Sequence, residues 1–323
     1  MNKLSIVIVN YNSLGMIKSC LDSFEKHPPE VIYEIIIANN DDNIEDFNSF
    51  AENYREIKFI QNTGNWGFSS GCNLGASIAN GEYLLFLNPD TKLNESPAID
   101  KMVETLEHDK SIGICGCKIV DSEGEENTVP SWNNPWFFIK SIKKIHDIIY
   151  RHQNSQKFDK KKEVWYPDVI SGAILMIRSN DFNKINGWND DKYWLYSEDR
   201  DICNRISKQL NKKLAMLRNY DIYHLYGGAS QGSCPLMLSM EIIISRHNYI
   251  YYNNNGFSRA IIMFFYISKS LFTPIIKLFF NILLFNNKKI AKNKFHIIKT
   301  IKYYSNSIKR KAWNSEKLKY EKR

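Results

Sequence analysis

Over its first 120 residues the chain alternates short β-branched runs with stretches of helical spacing, and this alternation constrains the fold more than any other feature. Apolar runs at Leu4 to Val9, Tyr33 to Ala38, Ile57 to Gln61, Glu82 to Leu87 and Ile112 to Val120 predict strands. Between them, Leu14 to Phe24, Ile44 to Asn53, Ser69 to Ala79 and Pro97 to Glu107 carry the spacing of amphipathic helices. Strand then helix, repeated, predicts an α/β fold with a mostly parallel sheet and helices on both faces. In such sheets a ligand binds beyond the carboxyl ends of the strands. Four successive strand ends are polar: Asn10-Tyr11-Asn12, Asn39 to Asp42, Asn62 to Asn65, and Asn88-Pro89-Asp90. They predict one polar rim. The turn after the first strand carries no G-x-G-x-x-G and the chain has no P-loop, which removes the dinucleotide-binding and P-loop readings.

Residues 121–167 read as an insertion, with Trp132, Trp136, Phe137, Phe138 and Trp165 set among lysine-rich segments of weak periodicity. A strand-like run follows over Asp168 to Ile177 and contains Ser171-Gly172-Ala173. Ile202, Cys203, Ile206 and Leu210 then recur at helical spacing, which places Glu198 and Asp199 in the first turn of a helix. Leu214 to Leu217 and Ile222 to His224 predict two short strands, and Gly227 to Ser230 a loop. The 43% apolar and 24% charged composition excludes a disordered or collagen-like chain. Six cysteines lack a C-x-x-C pair or zinc spacing and are expected as reduced, mostly buried thiols of a cytosolic protein. The run Leu4 to Val9 is too short for the core of a signal peptide, so no export signal is expected.

Taken in order, these motifs resemble a known family. Ser5 to Asn12, Glu34 to Asn40, Asn65 to Gly75, Leu87 to Thr91, Ser171-Gly172-Ala173, Glu198 to Asp201, and His224 with Gly227 to Ser230 are similar to the inverting GT-A glycosyltransferases of family 2. Within them they resemble the bacterial rhamnosyltransferase-like branch that builds surface polysaccharides. The resemblance covers residues 4 to 230. It implies transfer of a sugar, rhamnose or another hexose, from a nucleoside-diphosphate donor to a saccharide hydroxyl with inversion, in O-antigen or capsule synthesis.

The chemistry explains why such residues are wanted. Loss of a diphosphate calls for a hard divalent cation, Mg2+ or Mn2+, acting as a Lewis acid on the leaving oxygens. By resemblance to the family's D-x-D motif, Asp90 holds that metal, Asn88 stands at the first motif position as a neutral ligand or sugar contact, and His224 completes the shell. The structural alternatives are an Asn-Pro-Asp turn and a satisfied core histidine. The attacking hydroxyl needs a base, which by resemblance to the E-D motif is Asp199, with Glu198 orienting the acceptor or the base. The alternative is an acidic pair favoured by the helix dipole alone. Asn10, Asn12, Asn39 and Asn65 match nucleotide-binding positions, with Asn39 standing where most relatives carry an Asp. Trp188, Trp194 and Tyr196 either stack on an acceptor sugar or belong to the core.

The charge is uneven. From Asn287 onward thirteen Lys or Arg face only Glu316 and Glu321, a balance of +11 against +8 for the whole chain, which leaves residues 1–286 at −3. A near-neutral body with a basic tail points to an anionic membrane surface rather than to nucleic acid. Ala260 to Phe285 is apolar but interrupted by Lys269, Lys277 and Pro274, which predicts an interfacial helix or helix pair rather than a clean bilayer span. The domain reading is a transferase domain over 1–235 and a helical, basic, membrane-associating region over 236–323, peripheral at the cytoplasmic face, with a lipid-linked saccharide as acceptor. Packing on protein or on a second subunit is the alternative for the helices. Two rival functions are a non-catalytic saccharide-binding or scaffold protein derived from a transferase, and a nucleotidyltransferase on a similar sheet; the latter should show a glycine-rich basic loop after the first strand, which Val9 to Asn12 is not.

Overall fold

A computed structural model describes residues 3–126, 158–159, 163–225 and 235–310, with 313, 315 and 317. Four parallel strands, β1 (Leu4–Asn10), β2 (Tyr33–Asn39), β3 (Lys58–Gln61) and β4 (Tyr83–Leu87), lie in the order β3-β2-β1-β4. Helices α1 (Leu14–Lys26), α2 (Ile44–Ala51) and α3 (Phe68–Ser77) connect them, and the short β5 (Thr91–Lys92) and α4 (Ala98–His108) follow β4. β1 shows how both sheet faces become covered. Leu4, Ile6 and Ile8 share a core with Ile17 and Leu21 of α1 and Met102 and Leu106 of α4. The alternate residues Val7 and Val9 lie under Gly75 and Gly71 of α3, so close that a Cβ on either glycine would overlap the valine beneath it. Side chains that alternate along a strand thus meet helices on two sides, and the strand reads as continuously apolar.

Beyond α4 come β6 (Ile112–Val120), β7 (Phe158–Asp159), β8 (Val164–Trp165), β9 (Ile174–Arg178), α5 (Ser179–Lys184), α6 (Glu198–Gln209) and β10 (Lys213–His224). The sheet continues β4-β9-β6-β10-β8-β7, with β5 also paired to β10. β9 runs antiparallel to both β4 and β6, while β6 and β10 are parallel. Strand-helix alternation alone gives no sign of this reversal; no helix lies between β8 and β9, and residues 166–173 lead the chain directly into β9. The two short strands expected over Leu214 to Leu217 and Ile222 to His224 are one strand. Its pairing with β6 shifts register between Leu217 and Asp221, and this bulge lets Arg218, Asn219 and Tyr220 interrupt the apolar pattern without ending the strand. Most of the expected insertion, and Gly227 to Ser230, lie outside the described residues. Cys20, Cys72, Cys115, Cys117 and Cys203 are free and buried, and burial pushes the Cys20 thiol up to about 12. Cys234 lies outside the described residues.

The chain divides into two compact units: Met1–Asn133, Arg151–Asp190 and Glu198–Gly232 form one, and Asn134–Tyr150, Asp191–Ser197 and Ser233–Arg323 the other. The second unit is helical: α7 (Pro235–Asn253), α8 (Gly256–Leu283) and α9 (Asn287–Arg310). Tyr193, Tyr249, Ile250, Ile262, Met263 and Tyr266 form its core. Buried His247 is ringed by Tyr266, Tyr303, Tyr304 and Trp313, the last stacked at 5.8 Å. Its Nδ1–H donates to the Ile243 carbonyl at 2.7 Å and its Nε2 accepts from the Tyr304 hydroxyl at 3.0 Å. Burial pushes the imidazole down to about 4, so it is neutral and uses one nitrogen as donor and the other as acceptor. α7 lies in the region read as helical over 236–323, though no periodic run in the sequence marks its bounds. α8 is a single helix through Pro274, which takes the helical partner from the Ser270 carbonyl and crowds it without ending the helix. By length and composition α8 is long and apolar enough to cross a membrane, and few of its residues are buried.

Candidate active site

Register places the first polar cluster. Asn10 pairs with Asn39 across β1 and β2, and Asn39 with Gln61 across β2 and β3, so three amides stand side by side at the carboxyl ends of neighbouring strands. Asn10 Nδ2 donates to Asn39 Oδ1 at 2.6 Å, and its Oδ1 accepts from the Ser13 N–H and hydroxyl at 3.1 and 3.0 Å. Asn39 Oδ1 also accepts from the Asp41 N–H at 3.1 Å, while its Nδ2 donates to Gln61 Oε1 at 2.7 Å and to the Asp41 carbonyl at 3.2 Å. All four hydrogen-bonding positions of the Asn39 amide are therefore engaged within the protein, and the residue is fully buried. Asn10 and Asn39 brace the rim. Asn12 is exposed, in the left-handed region at φ 52°, and its N–H donates to Asp41 Oδ2 at 3.0 Å. Asp41 and Gln61 were not singled out from the sequence; their place at strand ends was the only signal. Asn65 Oδ1 accepts from the Gly67 N–H at 3.1 Å and so fixes the turn into α3.

The second cluster lies at the end of β4. A tight turn, with the Thr91 N–H bonded to the Asn88 carbonyl at 3.2 Å, carries the chain through Asp90 into β5. β5 pairs with the end of β10 so that Thr91 faces His224, and this ladder sets the imidazole beside the carboxylate. His224 Nε2 lies 3.1 Å from Asp90 Oδ1 and 3.3 Å from Asn88 Nδ2, and both Asp90 and His224 are buried. One ring nitrogen thus faces an acceptor and an amide N–H together. Turning the Asn88 amide by half a turn exchanges its oxygen and nitrogen and directs three lone-pair donors, two oxygens and one nitrogen, toward one another. A carboxylate, an imidazole and an amide oxygen suit a divalent cation that keeps its remaining positions for phosphate oxygens. Among the described residues no three His, Cys, Asp or Glu side chains gather into a metal cluster, so these residues alone are an incomplete shell.

The third cluster opens α6. Tyr196 and Ser197, just before it, both have positive φ, 70° and 64°. A non-glycine pair in this region is strained backbone of the kind that accumulates at functional sites. Glu198 is buried, and its Oε2 makes no hydrogen bond. Burial first, then the neighbouring Asp199 carboxylate, pushes Glu198 up to about 8. Burial raises Asp199 as well, against the opposing pull of Arg200 and of backbone N–H groups, among them those of Arg200 and Gly172. Asp199 is half-buried and accepts from the Arg200 N–H at 2.7 Å. Two adjacent carboxyls that both feel burial disfavour carrying two charges at once, and Glu198, the deeper, is the one raised to about 8. Asp201 is taken up structurally, by Arg205 at 2.6 Å and Asn189 at 2.7 Å.

The second and third clusters are joined through backbone. The Asn88 N–H donates to the Ala173 carbonyl at 3.0 Å, and the neighbouring Gly172 donates its N–H to Asp199. A Cβ at Gly172 would sit 3.7 Å from Cβ of Asp199, which is ordinary contact, so the glycine is not there for want of space. Trp188 is fully buried against Phe68 and Phe86 and belongs to the core.

Residues 5–182, over half of the chain, match the family described as Glycosyl transferase family 2. The chain belongs to glycosyltransferase family 2. Residues 151–226 also match a family described as the N-terminal domain of galactosyltransferase, and this stretch holds Glu198, Asp199 and His224, which lie beyond the family 2 match. Rhamnosyltransferase WbbL of Escherichia coli (strain K12) is 23% identical over 214 residues, 62% of this chain and 76% of the relative. The low-salt glycan biosynthesis hexosyltransferase Agl10 of Haloferax volcanii is 23% identical over 266 residues, 81% of this chain and 78% of the relative. Among solved structures, GalNAc-T7 with UDP, GalNAc and Mn2+ superposes with a TM-score of 0.55 at 15% identity, over 97% of this chain and 59% of that one. Mannosyltransferase PcManGT from Pyrobaculum calidifontis, in complex with GDP-Man and Mn2+, gives 0.53 at 11% identity, over 93% and 86%. These likenesses establish the fold of this family 2 chain as GT-A.

Proposed function

We propose that this family 2 chain is an inverting, metal-dependent glycosyltransferase. It moves rhamnose or another hexose from a nucleoside diphosphate to a hydroxyl of a lipid-linked saccharide, in surface polysaccharide (O-antigen or capsule) synthesis at the cytoplasmic face of the membrane. Residues 1–235 carry the transfer and 236–323 the membrane association. The observation that supports this best is the backbone link from Asn88 through Ala173 and Gly172 to Asp199. It couples the strand end that carries Asn88 and Asp90 to the half-buried carboxylate of Asp199.

In this reading Asp199 accepts the acceptor's hydroxyl proton as that oxygen bonds to the anomeric carbon. The bond from the anomeric carbon to the diphosphate breaks on the opposite face, and the nucleoside diphosphate leaves. Glu198, protonated, adds no second charge beside the base and has a proton to donate to the acceptor. Asp90 and His224, with Asn88 through its amide oxygen, would hold Mg2+ or Mn2+, which when bound supplies Lewis-acid stabilisation of the leaving diphosphate. Asn10 and Asn39 hold the rim on which the nucleotide rests, and Asn12 and Asn65 face it from the turns. WbbL and Agl10 are named as a rhamnosyltransferase and a hexosyltransferase, and the two structural relatives hold UDP or GDP-Man with Mn2+, which supports the donor and metal class.

A melting screen with UDP-, dTDP- and GDP-sugars tests this. At least one should raise Tm when Mn2+ is present and not in its absence, and Asp90→Ala should lose that shift while melting as cooperatively as the parent. A protein that no nucleotide sugar stabilises with metal present would sink the proposal.

A further inference from the structure

The C-terminal half of α8 has no core of its own. Ile262, Met263 and Tyr266 in its first half are buried in the helical unit, but from Phe272 to the end of the helix no residue is. Phe272, Phe279, Phe280 and Leu283 are all more than half exposed, and the turn beyond them leaves Leu284 and Phe285 at 74% and 89%. Exposure of large side chains at this density, at helical spacing and ending in two of the most exposed apolar residues of the chain, marks a surface built to be covered.

Charge says what covers it. From Ile242 to Ser315 the chain carries thirteen Lys or Arg and no Asp or Glu. α9, which follows the apolar turn at once, holds eight of these cations, beginning with Lys288, Lys289 and Lys292. Its buried face is uncharged: Asn293, Thr300, Tyr303, Tyr304 and Ser307. A second copy of the chain would bring like charges together with no acidic side chain to offset them, whereas an anionic bilayer offers hydrocarbon and negative charge at adjacent depths. Lys277, inside the apolar stretch, has a stem long enough to lay along the surface while its ammonium reaches the headgroups.

We infer that the last turns of α8 and the turn at Leu284-Phe285 form a wedge that enters the interfacial layer of an anionic phospholipid bilayer, with the cations of α9 on the phosphates. The helix lies in the membrane plane and does not span. This deepens the membrane part of the proposed function and rests on it only for the nature of the acceptor.

The test uses the full chain with vesicles of phosphatidylcholine alone, or with about 30% phosphatidylglycerol, a composition that sets a negative surface potential. The parent should co-sediment with the anionic vesicles and at least tenfold less with neutral ones. Phe280→Ser with Phe285→Ser should lose at least tenfold, and reversal of Lys288, Lys289 and Lys292 to Glu more, at roughly fivefold per neutralised cation. Phe285→Trp, which leaves the apolar surface in place, should gain emission quenched by brominated acyl chains. Alkaline carbonate should release the protein. No binding to anionic vesicles, binding unaffected by either set of substitutions, or retention after carbonate would each overturn the wedge; so would Phe280→Ser converting a vesicle-blind dimer to monomer. Donor-induced melting shifts keep the two readings apart: vesicle binding without a donor shift supports the wedge and removes the transferase, and a donor shift without vesicle binding does the reverse.

Discussion

At the scale of single residues the proposed chemistry turns on two neighbouring carboxyls with different surroundings. Asp199→Asn preserves shape but cannot take a proton, so donor-induced stabilisation should survive while transfer falls about a hundredfold or more. Normal transfer by this variant would make Asp199 structural and Glu198 the candidate base. Glu198 has its own signature in stability. Its folded carboxyl titrates near 8, against 4.5 for an ordinary glutamate, so between those values the folded chain keeps a proton that the unfolded chain releases. Stability is therefore lost as pH rises through this window. Glu198→Gln should stabilise the protein, by about 1–3 kcal/mol near pH 8 and hardly at all near pH 4, read by denaturant titration at both. The residue types at Asp90, Glu198, Asp199 and His224 were legible because each ends or follows a strand or opens a helix in a recognisable motif. The engagement of Asn39 by Asn10, Gln61 and Asp41 was not, because it depends on the register of three strands that are distant in sequence.

At the scale of elements, α3 packs closely against β1. Gly71 and Gly75 are four residues apart on one helix face, over Val9 and Val7. Gly75→Ala adds a methyl where Val7 already stands, and the added bulk must push the helix off the strand that ends in Asn10. We expect a loss of about 1–3 kcal/mol, the usual cost of overpacking, measured as a drop in denaturation midpoint with an unchanged m-value. Gly75→Ala with Val7→Ala should recover most of it. The parallel half of the sheet could be read from the chain because local periodicity alone specifies strand, helix and strand. β9 escaped because its direction is set by where the preceding connection ends, and the two short strands merged into β10 because a bulge accommodates polar residues that otherwise signal a turn.

At the scale of the whole molecule, the helical unit has an acid limit of its own. His247 stays neutral in the folded chain down to about 4, while the unfolded chain takes up a proton from about 6.5. Acidification through that window favours unfolding, at about 1.4 kcal/mol per pH unit for the one group. The extra loss of stability between about pH 6.5 and pH 4.5 should be absent in His247→Gln, compared with the parent in denaturant titrations. The partition of the chain carries one more consequence, for the order of events during synthesis. Tyr193 lies between two segments of the sheet-bearing unit, yet its burial partners run from Tyr249 to Tyr266. At about 5–20 residues per second those partners leave the ribosome several seconds after Tyr193 does. The residues leading into Glu198 and Asp199 thus emerge before the helices that bury Tyr193 exist. The nascent chain completes its strands first and only later buries Tyr193, an interval in which a chaperone or an early membrane contact would find this segment open.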